Sequence, residues 1–228
     1  MSLDSLINIV YNPNQGFFLG LGFVFSVSSL LLISKKYFFI NYFNYLCFLV
    51  LIGYSGNIGY RIFYEMKFSI IPFIGGSLLG SFSFVLILSI CCYLFCKTKY
   101  KFMNILAIPF SLLISFGKIG CYYSKCCYGN LNFFELILPV QLVESFSYFV
   151  MTIILYIFFR NSKILIFYLI IFYSFIRFIA EYFRADNVFF ISNIPITQLV
   201  SLSILILSTL FVIKIKFKEK ILLKKKLK

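Results

Sequence analysis

Seven apolar runs, each near the twenty residues that cross a hydrocarbon core, leave few folds open to this 228-residue chain. They cover residues 17–33, 43–63, 70–95, 102–122, 140–159, 164–183 and 194–213. The second and third carry Gly56, Gly59, Pro72, Gly75 and Gly76, which blur their limits. Only 12% of the residues are charged, where soluble domains carry about a quarter. A lipid-exposed backbone must satisfy its own hydrogen bonds, so apolar runs of this length read as helices. The expectation is an all-α polytopic membrane protein with about seven transmembrane helices. A single domain over residues 1–228 ends in a basic tail at 214–228.

The charges orient the bundle. In alternate gaps between the runs, one side collects fifteen of the 21 Lys and Arg residues, eight of them from Lys214 onward. The other side collects Arg61, Lys67, Lys118, Lys125, Arg177 and Arg184. The positive-inside rule then predicts an outer N-terminus and a cytoplasmic C-terminus. The net charge of +14 is thereby read as topology. Nucleic acid is not an expected partner, because no basic patch is interleaved on a soluble face. No Lys or Arg precedes the first run, so a cleaved signal sequence is not expected.

Six of the seven acids, Asp4, Glu65, Glu135, Glu144, Glu181 and Asp186, fall on the base-poor side. Ionisable groups at membrane depth cost about 2.5–3.5 kcal/mol each on insertion scales, and they pair or face a cavity. The outer half of the bundle is therefore the candidate site. Arg177, Glu181 and Arg184 are spaced by four and three, which puts them on one helical face. Either they form a structural ion triplet, or Glu181 neutralises one arginine and leaves the other for an anion. A guanidinium fork suits phosphate, and a phospholipid headgroup is the obvious anion here.

Residues 116–144 hold the second polar cluster. Gly117, Gly120 and Gly129 permit tight turns beside Lys118 and Lys125. Such backbone near membrane depth lines a cavity or is buried in protein, unless the segment is a plain connecting loop. Cys121, Cys126 and Cys127 lie in the same segment. With no histidine and no second cysteine pair at ligand spacing, neither a metal nor a cofactor is expected. The cysteines read as small packing residues or as a disulfide pair. Gly75 and Gly76 either let helices pack closely or open backbone to a headgroup. Asn57 and Arg61 share a helical face, from which Arg61 either snorkels or joins the anion site.

These elements together resemble the bacterial prolipoprotein diacylglyceryl transferase family along nearly the whole chain. Gly117-Lys118-Ile119-Gly120 through Tyr128-Gly129 occupies the place of the family signature, and Pro139-Val140-Gln141-Leu142-Val143-Glu144 matches its Pro-x-Gln-Leu-x-Glu run. Arg177-Phe178-Ile179-Ala180-Glu181-Tyr182-Phe183-Arg184 matches its Arg-Phe-x-x-Glu helix end, and Gln198-Leu199-Val200-Ser201 its last helix opening. Gly75-Gly76-Ser77-Leu78-Leu79-Gly80 resembles its Gly-Gly element. The resemblance implies seven helices in the bacterial cytoplasmic membrane, with the site toward the outer face. It implies transfer of diacylglycerol from phosphatidylglycerol to the lipobox cysteine of preprolipoproteins. The implied partners are that lipid or a similar anionic one, the preprolipoprotein signal peptides and the membrane. Lys118, Arg177, Glu181 and Arg184 would be catalytic; Asn57, Arg61, Gly75, Gly76, Gly117, Gly120, Cys121, Gly129 and Gln141 would bind substrate.

Some positions depart from the family pattern. Lys118 stands for the signature arginine, Cys121 for the signature asparagine, Cys126 for an acid, Asn57 for an arginine, Ile74 for histidine and Leu19 for tyrosine. A paralogue acting on another lipid or acceptor, and a non-catalytic lipid-binding protein, are the alternatives.

Overall fold

The computed structural model describes residues 13–33, 38–60, 78–95, 97–127, 129–133, 136–185, 190–191 and 194–226. Among these, seven α-helices form a bundle: α1 (Pro13–Ile33), α2 (Phe38–Tyr60), α3 (Leu78–Phe95), α4 (Lys97–Tyr123), α5 (Val140–Ile154), α6 (Leu165–Tyr182) and α7 (Ile196–Lys226). Five helical stretches are long and apolar enough to cross a membrane, and two shorter apolar ones lie at Phe17–Ile33 and Tyr42–Gly56. This is a multi-pass, predominantly helical membrane protein. Arg61, Gly75 and Gly76 lie outside the described residues, as does the side chain of Asn57 on α2.

The helix limits have local causes. Pro13 is the first residue of α1, where its missing N–H costs nothing. Pro139 sits just before α5 in an extended conformation, and Pro195 just before α7. Pro109 lies inside α4 and cannot donate there, yet the helix runs on to Tyr123. The last turn of α5 widens into a π-segment, Leu155–Phe159. At the far end of the bundle, Asn104 of α4 clamps the start of α6. Its Nδ2 donates to the Lys163 carbonyl at 2.8 Å, and the Ile166 N–H donates to its Oδ1 at 2.9 Å.

Two short antiparallel hairpins close the polar end, where the sequence suggested only turns. β1 (Asn130–Phe133) pairs with β2 (Leu136–Pro139), and β3 (Phe190–Ile191) with β4 (Ile194–Pro195). Non-helical backbone near a membrane has to find partners within the protein, and the ladders supply them.

α1 packs most extensively on α4, α4 on α5, α6 on α7 and α2 on α3. Between α4 and α5 the contact is polar and reciprocal. Ser115 Oγ donates to the Ser145 carbonyl at 2.9 Å, and Ser145 Oγ donates to the Ser115 carbonyl at 2.8 Å. Deeper along the same contact, Thr152 Oγ1 donates to Ser111 Oγ at 2.9 Å. Small hydroxyl residues let two backbones approach and lock their register in lipid, where apolar side chains give no hydrophobic preference for one partner. The core beside them is a column of rings. Phe48 meets Phe110, Phe110 meets Phe82, Phe82 stacks on Tyr173 at 3.4 Å, and Tyr173 stacks on Tyr148.

Candidate active site

The serine lock sets the geometry of the site. Lys118 follows Ser115 by one turn on α4, and Glu144 immediately precedes Ser145 on α5, so fixing the serines turns ammonium and carboxylate toward each other. Lys118 Nζ donates to Glu144 Oε2 at 2.5 Å, with both residues 1% exposed. From α6, Arg177 Nη1 donates to Glu144 Oε1 at 2.9 Å. The same guanidinium pairs through Nη2 with Glu181 one turn on. Glu181 also accepts from Thr197 Oγ1 of α7 at 2.9 Å, and Arg184 Nε lies 3.8 Å from it. Tyr148, at the end of the ring column, reaches Glu144 Oε1 at 3.5 Å.

Four helices thus meet at one buried network, in which three cations face two carboxylates. Arg177, Glu181 and Arg184 are brought together as their spacing suggested, and Lys118 joins them from α4, with one difference. No arginine is set aside by Glu181 alone, because Arg177 is shared between two carboxylates. Glu144 is the residue that the sequence reading did not place in the site. Its signal was there: it lies one helical turn after Gln141, an acid within an otherwise apolar run. Thr197 was missed too, and nothing in its local sequence marks it.

The turn after α4 folds over this network. Lys125 and Cys127 adopt positive φ, 54° and 58°, a left-handed conformation uncommon outside glycine. Gln141 Nε2 donates to the Cys126 carbonyl at 3.1 Å, so the helix after the turn holds its tip. Gly129 pairs with Arg184 in an isolated antiparallel bridge, and the Val140 N–H donates to its carbonyl at 3.0 Å. A Cβ on Gly129 would fall 2.8 Å from Arg184 Cα, which reserves the position for glycine. Gly117 and Gly120 lie within α4, and a Cβ on Gly117 would meet only Leu19 at 3.4 Å. Their role as turn glycines is not the one the helix gives them.

Cys121, Cys126 and Cys127 converge, with their sulfur atoms all within 4.8 Å of one another. All three are free thiols. Hydrogen bonds from the Cys121 and Cys126 thiols, then the positive charges of Lys118 and Arg184, hold the Cys127 thiol well below its ordinary range.

Two cavities adjoin the network. One of about 700 Å³ lies outside the turn, lined by Tyr122, Lys125, Gly129, Pro139, Gln141, Phe183 and Ala185. The other, about 210 Å³, is an apolar slot between α5 and α6. Val143, Phe175, Ile176, Ile179 and Phe183 line it, with Glu144 among them.

A polytopic bundle that buries a cation-rich ion network beside an apolar slot defines the class as a multi-pass helical membrane protein with a polar centre. The family model described as prolipoprotein diacylglyceryl transferase matches residues 14–214. The phosphatidylglycerol–prolipoprotein diacylglyceryl transferase of Finegoldia magna is 31% identical over 186 residues, which cover 74% of this chain and 69% of that protein. The protein of that name from Helicobacter hepaticus is 30% identical over 145 residues, 55% of this chain and 50% of its own length. The chain belongs to the prolipoprotein diacylglyceryl transferase family.

Proposed function

We propose that this protein transfers the diacylglyceryl group of phosphatidylglycerol to the lipobox cysteine of preprolipoproteins, at the outer face of the bacterial cytoplasmic membrane. The observation that carries the reading is the pairing of Lys118 and Arg177 on the single carboxylate of Glu144, beside an apolar slot, within a chain of this family. The phosphodiester sits against the two cations, and the acyl chains leave through the slot between α5 and α6.

The acceptor sulfur attacks the glyceryl carbon, the carbon–oxygen bond to phosphate breaks, and glycerol phosphate leaves with the electron pair. The thiol proton is lost to water. Charge grows on the departing phosphate, and preorganised cations in a dry site stabilise it. An ammonium carries three N–H donors, so Lys118 can hold Glu144 and still meet a phosphate oxygen. Glu181 and Thr197 hold Arg177 in register, and Arg184 either assists them or meets the incoming peptide.

Seven crossings with an outer N-terminus fit this chemistry. α1 and α2, at 21 and 23 residues, extend about 32 and 35 Å, enough for a hydrocarbon core of about 30 Å. The charge asymmetry puts the signature turn on the outer side, where exported precursors arrive.

The test is rescue of a strain depleted of its own transferase, paired with an assay in phosphatidylglycerol vesicles using a lipobox peptide. Thioether-linked diacylglycerol on the peptide is the expected product, absent with Arg177→Ala. If the unaltered chain gave neither rescue nor product, the assignment would be overturned.

A further inference from the structure

The signature turn spends three thiols where packing would need none. We infer that Cys121, Cys126 and Cys127 form a trithiolate site for one zinc ion, whose fourth position takes the acceptor thiol. The inference rests on the transfer reaction proposed above for its acceptor, though not for the metal.

Geometry comes first. Tetrahedral zinc binds thiolate sulfur at about 2.3 Å, which places ligand sulfurs about 3.8 Å apart. The three sulfur atoms already lie within 4.8 Å of one another, so small side-chain rotations bring them to one ion. Linear spacing concealed this. Cys126 and Cys127 are adjacent, and adjacent side chains ordinarily diverge. The left-handed backbone at Lys125 and Cys127 folds both back toward Cys121 on α4. The Cys126 thiol also lies 3.2 Å from Ser124 Oγ and 3.6 Å from the Cys121 carbonyl, which fixes its rotamer.

Charge is consistent with this occupant. Among the described residues of the network, Lys118, Arg177 and Arg184 face Glu144 and Glu181, an excess of one positive charge. Three thiolates on a dication leave one negative charge, which balances it. Three protein ligands with an open fourth position is the pattern of a catalytic rather than a structural zinc site.

The chemistry fills a gap. The chain contains no histidine that could deprotonate a thiol. A thiol coordinated to zinc is deprotonated outright. In the proposed step the acceptor R–SH replaces a bound water and gives its proton to bulk solvent. Its sulfur then forms the carbon–sulfur bond as the glyceryl carbon–oxygen bond breaks. The cavity lined by Tyr122, Lys125 and Gln141 opens beside the turn, and its Gln141 holds the Cys126 carbonyl, which makes it the proposed route for the acceptor.

The experiment uses the full chain in detergent, its free thiols counted on isolation without added reductant, then dialysed against zinc under reducing conditions and assayed for metal. One zinc per chain is expected. It is lost in Cys126→Ser and in Cys127→Ser, and retained in Cys47→Ser and Cys91→Ser, which alter exposed cysteines elsewhere. In the cobalt-loaded chain, adding a lipobox peptide should change the ligand-field spectrum, and its Cys→Ser counterpart should not. No stoichiometric metal, equal binding after Cys126→Ser, a disulfide among the three thiols in the freshly isolated chain, or a spectrum indifferent to the peptide thiol would each overturn the inference. Transfer is measured in parallel. Product formed by metal-free chain sinks the zinc site and leaves the transferase reading intact. Metal and peptide bound without product sink the transferase reading instead.

Discussion

One carboxylate, Glu144, decides how the polar residues of this protein can be arranged. It holds a lysine from α4 and an arginine from α6, all of them nearly inaccessible. Removing one partner of a buried ion pair costs about 3–5 kcal/mol, because the other is left charged and unmatched. Glu144→Gln should therefore lower the melting temperature in detergent by several degrees and abolish transfer. A variant as stable as the parent would show that the pairing is not holding α4 to α6. Lys118→Arg is the opposite experiment. It keeps the charge and replaces the rotatable ammonium by a rigid planar fork, which grips phosphate by two parallel bonds where lysine offers a point charge. The expected result is a lower KM for phosphatidylglycerol with Glu144 still engaged, read from initial rates across lipid mole fraction. An unchanged KM would place Lys118 away from the phosphate. Arg177, Glu181 and Arg184 could be found from sequence because three and four residues make one helical face. Glu144 could not be placed this way, since its partners lie 26 and 33 residues away on other helices and no periodicity links them.

At the scale of elements, the turn between α4 and α5 couples signature to network. Its anchor is the bridge between Gly129 and Arg184, where the two backbones run so close that a methyl group has no room. Forcing extra volume into a packed contact costs about 1–3 kcal/mol and displaces the backbone. Gly129→Ala should shift Arg184 and the thiol turn together, reducing transfer at least tenfold while the helices stay folded. Far-ultraviolet circular dichroism and the transfer assay, run on one preparation, separate the two effects. Retained activity would mean that the bridge does not position the site. The hairpins around this turn escaped the sequence reading for a physical reason. Strands of four and two residues are too short to show alternation, and their pairing answers a demand of the surroundings rather than of their own side chains. Most helix limits were legible to within a few residues because they follow from bilayer thickness and proline, but α7 runs to Lys226, well past the expected end at 213, since lysines do not stop a helix that has left the hydrocarbon core.

For the whole molecule, the decisive quantity is the number of crossings, and the termini alone do not fix it. Five spans and seven both put the ends of the chain on opposite sides. The difference lies at α1 and α2. If both cross, the gap at residues 34–37, with Lys35 and Lys36, is cytoplasmic; if neither crosses, that gap stays outside with the N-terminus. The extensive packing of α1 on α4 favours crossing, since α4 is itself long and apolar enough to span and its apolar partner runs along it. The stacked rings of Phe25 and Phe116, and of Phe18 and Tyr123, mark that contact toward the C-terminal end of α4. α7, 31 residues and about 46 Å long, exceeds the hydrocarbon core and carries its lysines beyond it. Alkaline phosphatase inserted after Ser34 in the full chain should therefore be inactive, as should phosphatase fused after Lys228. Phosphatase inserted after Met66 should be active. Activity at Ser34 would withdraw α1 and α2 from the membrane and with them two of the seven proposed crossings. It would leave the proposed outer placement of the signature turn unchanged, because removing a pair of crossings changes no parity downstream.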